Sequence, residues 1–234
     1  MMAESPGRLL SRKRIVQIAG VTSTAEARML VECGADFLGF PLEPHHGDGD
    51  VNLADATAII RAIQPPVFGV LITYSNSAGK VTSVCRSLGV SVVQLHGGVA
   101  VDEIRRMREL SPDLHVVKTL VVRENNLPQL IEEVNGVEQY VDAFLTDTFD
   151  QETGRWGATG KTHDWSISRR IVECASRPVI LAGGLTPENV HRAISEVGPA
   201  GVDVHTGVED ARGRKNRKLV EHFVEQARKA FTSI

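Results

Sequence analysis

The sequence predicts an α/β protein folded as a single (β/α)8 barrel with parallel strands. Eight short β-branched or apolar runs alternate with amphipathic stretches along the whole chain. No linker or break in composition divides them. No GxGxxG follows the first run, which argues against the competing architecture, a doubly wound open sheet. A chain of 234 residues is long enough to bury the core of one such domain.

Taken in order, the first strand is Ile15–Ala19, followed by a helix over Thr24–Cys33. Phe37–Phe40 and Leu53–Ile63 form the second pair, Val67–Ile72 and Ser77–Leu88 the third, Ser91–Leu95 and Val101–Leu110 the fourth. Leu114–Leu120 with Leu127–Val134 is the fifth pair, and Tyr140–Thr146 with Ser166–Cys174 the sixth. Val179–Ala182 with Pro187–Ser195 and Gly201–Val204 with Lys215–Phe231 complete eight. Residues 14–234 are thus assigned to a (β/α)8 TIM barrel. Residues 1–13 read as a short mobile extension, since MMAESPGRLLSRKR lacks the apolar stretch of a secretory signal.

Composition narrows the function classes. A formal net charge of -3 argues against a general nucleic-acid or anionic-membrane surface. No apolar run is long enough to span a bilayer. Cys33, Cys85 and Cys174 fall in helix-like segments with no CxxC pair, as expected for reduced packing residues of a cytoplasmic protein. The oligomeric state is not readable, and no cofactor motif is present.

In a barrel of this kind chemistry sits where the C-terminal ends of the strands converge. Two of those ends stand out, ILAGGLTPENV (180–190) and GVDVHTGVE (201–209). Gly183 and Gly184 let backbone approach a ligand, and Thr186 caps a helix with Pro187 in its first turn. Thr206 and Gly207 repeat the arrangement one unit later. Backbone N–H groups at adjacent strand ends and a helix N-terminus make an anion site, and the loops after strands seven and eight commonly hold a phosphate. Two ordinary strand-to-helix turns are the plainer alternative.

Asp147 follows the sixth strand, shares a face with Leu145, and opens a glycine-rich loop through Gly154, Gly157 and Gly160 that also carries Arg155 and Lys161. A carboxylate beside a phosphate site is a candidate general acid or base; capping of the loop is the structural alternative. Asp150 is a second candidate. Gln94 and His96 alternate and face one way at the end of the fourth strand, where His96 could shuttle a proton or simply be a satisfied structural residue. His205 and His163 add two further imidazoles. His45, His46, Asp48 and Asp50 resemble a ligand cluster, but a turn of such residues is usually solvated loop, and no metal is expected.

Across nearly its whole length the chain resembles the phosphoribosylanthranilate isomerase family. VQIAGVTSTAEARMLVECGADFLGF resembles the family's KICG opening and GAD-x-LGF second strand, and VQLHG (93–97) its fourth-strand motif. LTDT with GATGKTHDW, then LAGGLTPENV and GVDVHTGVE with Gly213, Arg214 and Lys215, resemble its later motifs. The resemblance implies an Amadori rearrangement of an N-linked sugar phosphate: an acid opens the furanose and a base removes the proton at the sugar's C2. Asp147 matches the acid, Gln94 and His96 the polar pair of strand four, and Gly183, Gly184, Thr206 and Gly207 the phosphate cradle.

Two positions depart from the family. Its catalytic base is the cysteine of KICG, which is Ala19 here, and the lysine of that motif is Gln17. After the second strand the family's Ser-Pro-Arg, whose arginine meets the anthranilate carboxylate, is replaced by PLEPHHGDGDVN with Glu43, Asp48 and Asp50. Carboxylates repel another carboxylate and offer no bidentate donors. Three readings stay open: an isomerase of a phosphorylated sugar using Asp147 with a base recruited from His205, His96, His163 or Asp150; a true phosphoribosylanthranilate isomerase with a rearranged site; or a non-catalytic relative that binds a phosphorylated ligand.

Overall fold

Eight parallel strands close into a barrel in the computed structural model of the protein, which describes residues 5–11, 14–42, 51–150, 155–156 and 162–233. The strands are β1 (Ile15–Ala19), β2 (Phe37–Pro41), β3 (Phe68–Thr73), β4 (Val92–Leu95), β5 (His115–Val122), β6 (Ala143–Asp150), β8 (Val179–Leu181) and β9 (Gly201–Val204). Their order is β5-β4-β3-β2-β1-β9-β8-β6, and parallel pairing of β5 with β6 joins the two ends. A two-residue strand, β7 (Arg155–Trp156), returns antiparallel along the end of β6.

Each strand is buried on both faces, which is why it reads in the sequence as a run and not as an alternation. One set of alternate residues, among them Ile15, Phe37, Ile72, Val117, Leu145 and Ile180, packs inside the barrel. The other set, among them Val16, Leu38, Leu71, Val116 and Phe144, packs against the helices. Those helices are α2 (Thr24–Glu32), α3 (Leu53–Ala62), α4 (Ala78–Leu88), α5 (Val101–Leu110), α6 (Leu127–Val137), α7 (Trp165–Cys174), α8 (Val190–Val197) and α9 (Arg217–Thr232). Ser23 caps α2 through the Glu26 N–H, and Gly89, at φ +75°, ends α4 in the left-handed conformation.

Two similar latches hold the N-terminal end of the barrel. Asp36, ahead of β2, accepts the Val16 N–H and pairs with Arg228 at 2.8 Å. Asp142, ahead of β6, accepts the Val116 N–H and pairs with Arg108 at 2.6 Å. Each aspartate ties two neighbouring strands to one helix, α9 for Asp36 and α5 for Asp142. Such contacts at this end serve stability and leave the opposite rim for chemistry.

The structure adds four features that the sequence pattern does not give. A short helix α1 (Pro6–Ser11) precedes the barrel, and its Leu10 is 2 % exposed in the interior cluster with Ile15, Phe37 and Val92. Part of the segment read as a mobile extension is therefore packed against the barrel's lower end. Tyr140 belongs to a single 3-10 turn after α6, so β6 starts at Ala143. It also runs past Thr146, so Asp147 lies within the strand. Finally, α8 begins at Val190, because Asn189 and Thr186 bond to each other's backbone in a turn that comes first. No described helix is long and apolar enough to cross a membrane.

Candidate active site

Asp147 occupies the middle of the C-terminal rim. Its Oδ2 lies 3.2 Å from His96 Nε2, and its Oδ1 accepts the Thr148 N–H at 2.7 Å. The ring of His96 rests on Tyr74, centroids 4.7 Å apart, and its backbone N–H is bonded to the Thr73 carbonyl. Beneath it the buried Lys118 ammonium donates to the carbonyls of Gly97 and Thr119 and meets Glu133 at 2.7 Å. The loop that carries His96 is thereby fixed by a charge that cannot reach water. The resulting histidine–carboxylate pair faces the barrel axis.

Gln17 and Gln94 reach toward each other across the interior, Nε2 to Oε1 at 2.7 Å. Gln17 pairs in register with Asp203 on β9, and its amide also donates to that carboxylate. Asp203 is 7 % exposed, and its Oδ1 has no partner among the described residues. Burial, then the charge of Asp147, push its carboxyl up to about 7, against the Gln17 hydrogen bond and the Lys215 charge. Ala19 forms the neighbouring wall with small residues: a side chain on Gly39 would come within 3.2 Å of the Ala19 Cβ. The rim beside β1 is thus low where the family carries a thiol.

The two glycine turns lie side by side at the ends of β8 and β9. Gly183 and Gly184 take φ values of +88° and +61°. A Cβ on Gly183 would stand 2.1 Å from Thr148 Oγ1, and one on Gly207 would stand 1.9 Å from the Leu185 carbonyl oxygen. The second value shows how closely the turn Thr206–Val208 abuts the turn after β8. Asn189 shapes the first turn by accepting from the Thr186 N–H and donating to the Gly184 carbonyl.

The other imidazoles are committed elsewhere. His163 uses both nitrogens, Nδ1 with Thr148 Oγ1 at 2.8 Å and Nε2 with Ser168 Oγ at 2.6 Å. Burial drives it down to about 4, although Asp147 and Asp164 pull the other way. His205 packs over Gly20 and places Nε2 3.4 Å from Glu209 Oε1. Burial and the Lys215 charge lower it to about 3, against Asp147. Asp147 acts electrostatically on Asp203, His163 and His205 alike, which marks it as the centre of the cluster. Gly154, Gly157, Gly160 and Lys161 lie outside the described residues, as do Glu43, His45, His46, Asp48 and Asp50. The side chains of Asp150 and Arg155 lie outside them too.

Sequence reasoning placed Asp203 on the rim but gave it no role. Strand alternation puts it on the same inward face as Gly201 and His205, and that signal was available. What alternation could not supply was its missing partner.

A closed (β/α)8 barrel with a carboxylate–imidazole pair and paired glycine turns on one rim is the scaffold of a barrel enzyme. The chain belongs to the N-(5'-phosphoribosyl)anthranilate isomerase family, whose model matches residues 16–226. It is 38% identical over 220 residues to N-(5'-phosphoribosyl)anthranilate isomerase 2 of Methanosarcina mazei, covering 94% of this chain and 96% of that one. It is 35% identical over 214 residues to the isomerase of Methanocella arvoryzae, covering 91% and 97%. The phosphoribosyl anthranilate isomerase structure from Thermotoga maritima superposes with a TM-score of 0.78 at 30% identity, covering 92% and 98%. A further isomerase structure, in complex with reduced 1-(o-carboxyphenylamino)-1-deoxyribulose 5-phosphate, gives a TM-score of 0.76 at 29% identity, with coverage of 92% and 98%.

Proposed function

We propose that the protein is an aldose–ketose isomerase acting on an N-linked phosphorylated sugar by Amadori-type chemistry, with Asp147 as general acid and His96 as its partner. N-(5'-phosphoribosyl)anthranilate is the substrate to which the relatives' names point. Gly183, Gly184, Thr206 and Gly207 take the phosphate, and Gln94 orients the sugar; Gly157 and Gly160, outside the described residues, are further candidates for the phosphate. His205 lines the phosphate side of the rim. The observation that carries the reading is the contact between Asp147 and His96 on the rim that also bears the two glycine turns.

The test is conversion of N-(5'-phosphoribosyl)anthranilate by the purified protein, followed by loss of substrate fluorescence. Turnover that disappears in Asp147→Asn supports the reading; turnover unchanged in that variant removes Asp147 from the mechanism. Ala19 favours a second reading, a ligand-binding relative without catalysis. That reading gains if the reduced deoxyribulose phosphate binds while the sugar phosphate is never converted.

A further inference from the structure

We propose that Asp203 is the general base of this protein, taking the proton from C2 of the sugar in place of the side chain that Ala19 lacks. The inference rests on the isomerase reading above.

Four observations carry it. Asp203 projects into the barrel from β9, beside Gln17 in register and one strand away from Ala19. Its Oδ1 is buried without a partner among the described residues, and leaving a buried carboxylate oxygen unpaired is costly unless something else engages it. Among the described residues no ion pair holds it, and the Lys215 charge lowers its carboxyl less than burial and Asp147 raise it. Position 17, a lysine in the family motif, is a neutral glutamine, and the Lys215 ammonium is already engaged by Glu209 Oε1 at 2.5 Å and by the His205 carbonyl at 3.0 Å. Asp147, the other charged group facing it, is of like sign. The result is a carboxylate whose basicity, raised to about 7, suits removal of a carbon-bound proton near neutrality. The competing imidazoles are weaker: His205 at about 3 has little pull on a proton, and His163 has both nitrogens bonded.

The substitutions at 17 and 19 then form one change. Loss of the thiol removes the old base, and loss of the lysine releases a carboxylate to serve instead.

The steps balance with these two groups. The proton shared by Asp147 and His96 passes to the ring oxygen as the C1–O bond breaks, and the nitrogen lone pair forms the C1=N bond of an iminium. Ionised Asp203 takes the C2 proton. The C2–H electron pair becomes C1=C2, and the C1=N π pair returns to nitrogen, giving a neutral enaminol. Asp203 returns its proton to C1 while the C2 hydroxyl proton goes back to the Asp147–His96 pair, leaving the ketose. Both carboxylates end as they began, and no second reactant enters.

The experiment compares wild type, Asp203→Asn and the double variant Ala19→Cys/Asp203→Asn on N-(5'-phosphoribosyl)anthranilate across pH 5–9. Asp203→Asn should lower kcat by about 100- to 10,000-fold with KM little changed. In wild type kcat/KM should rise about tenfold per pH unit up to about 7, and Asp203→Asn should lose that limb. Restoring a thiol in the double variant should recover part of the rate. Wild-type kcat in Asp203→Asn, with the pH limb intact, overturns the proposal. Unchanged binding of reduced 1-(o-carboxyphenylamino)-1-deoxyribulose 5-phosphate certifies that the variants are folded. Should wild type convert no substrate, the isomerase reading falls first, and carboxyl 13C NMR of wild type decides the role of Asp203. A midpoint near 7 that moves when the reduced phosphate binds supports a proton-handling group in the ligand site; an ordinary midpoint indifferent to the ligand overturns it.

Discussion

His96 Nε2 faces Asp147 Oδ2 at 3.2 Å while the other carboxylate oxygen takes the Thr148 N–H. Together the two contacts fix the plane of the carboxyl group and leave it no need to turn during reaction. Replacing Asp147 by asparagine keeps the shape and both polar atoms but removes the proton that can be given. The expected result is a kcat lowered by about 100- to 10,000-fold with KM held within a few-fold, measured by steady-state kinetics. A variant that instead raised KM and spared kcat would make Asp147 a binding group.

The turn holding Gly207 has no room for a side chain, since a Cβ would fall 1.9 Å from the Leu185 carbonyl oxygen. Gly207→Ala must push the two rim turns apart. Affinity for the reduced deoxyribulose phosphate, measured by calorimetry, should drop at least tenfold. Gly79 is the control: it lies in α4 with nothing within 4 Å of its added Cβ. Gly79→Ala should leave ligand affinity alone and add roughly 0.5–1 kcal/mol of stability.

Leu10 shows how much of the fold lies outside the repeat. It is 2 % exposed against the interior cluster at the barrel's lower end, beside Ile15 and Phe37. Leu10→Ala should lower unfolding stability by about 2–3 kcal/mol, near the low end for buried leucines because a short helix can shift to fill space. Urea denaturation measures this. A loss below 0.5 kcal/mol would show that α1 contributes nothing to the folded barrel.

The eight barrel strands are legible in the sequence because burial on both faces turns each into a compact apolar run. The helix α1 is not, since six residues are too few for a helical period to register. Asp147 was expected after a strand and lies inside one: Asp147 and Thr148 are polar because they face the rim, and polarity alone imitates a loop. The start of α8 was misplaced by three residues because Thr186 and Asn189 both have capping chemistry, and the structure places Asn189 at the cap. The site divides the same way. The glycine turns and the acid are visible as motifs, whereas the standing of Asp203 depends on what Gln17, Lys215 and Asp147 do around it, and no local pattern contains that.

Two buried groups make opposite contributions to the dependence of stability on pH. His163 has its folded value lowered from 6.5 to about 4. The unfolded chain therefore binds the extra proton first, and stability is lost as pH falls from about 6.5 toward 4, by at most about 3 kcal/mol. Asp203 has its folded value raised from 3.8 to about 7. Here the folded chain holds the extra proton, and stability is lost as pH rises from about 4 toward 7, by at most about 4 kcal/mol. His205, lowered from 6.5 to about 3, acts in the same direction as His163, so the two imidazoles together outweigh Asp203 and the thermal midpoint should fall as pH drops from about 6.5 toward 4. Asp203→Asn should melt higher than wild type at pH 8 and become more steeply acid-sensitive, while His163→Gln, which leaves His205 to oppose Asp203, should flatten the profile between about pH 4 and 6.5. A gain in melting temperature together with a loss of kcat in Asp203→Asn is what a buried base requires. A purely structural carboxylate predicts that the same variant melts lower at pH 8, and scanning calorimetry at that pH separates the two.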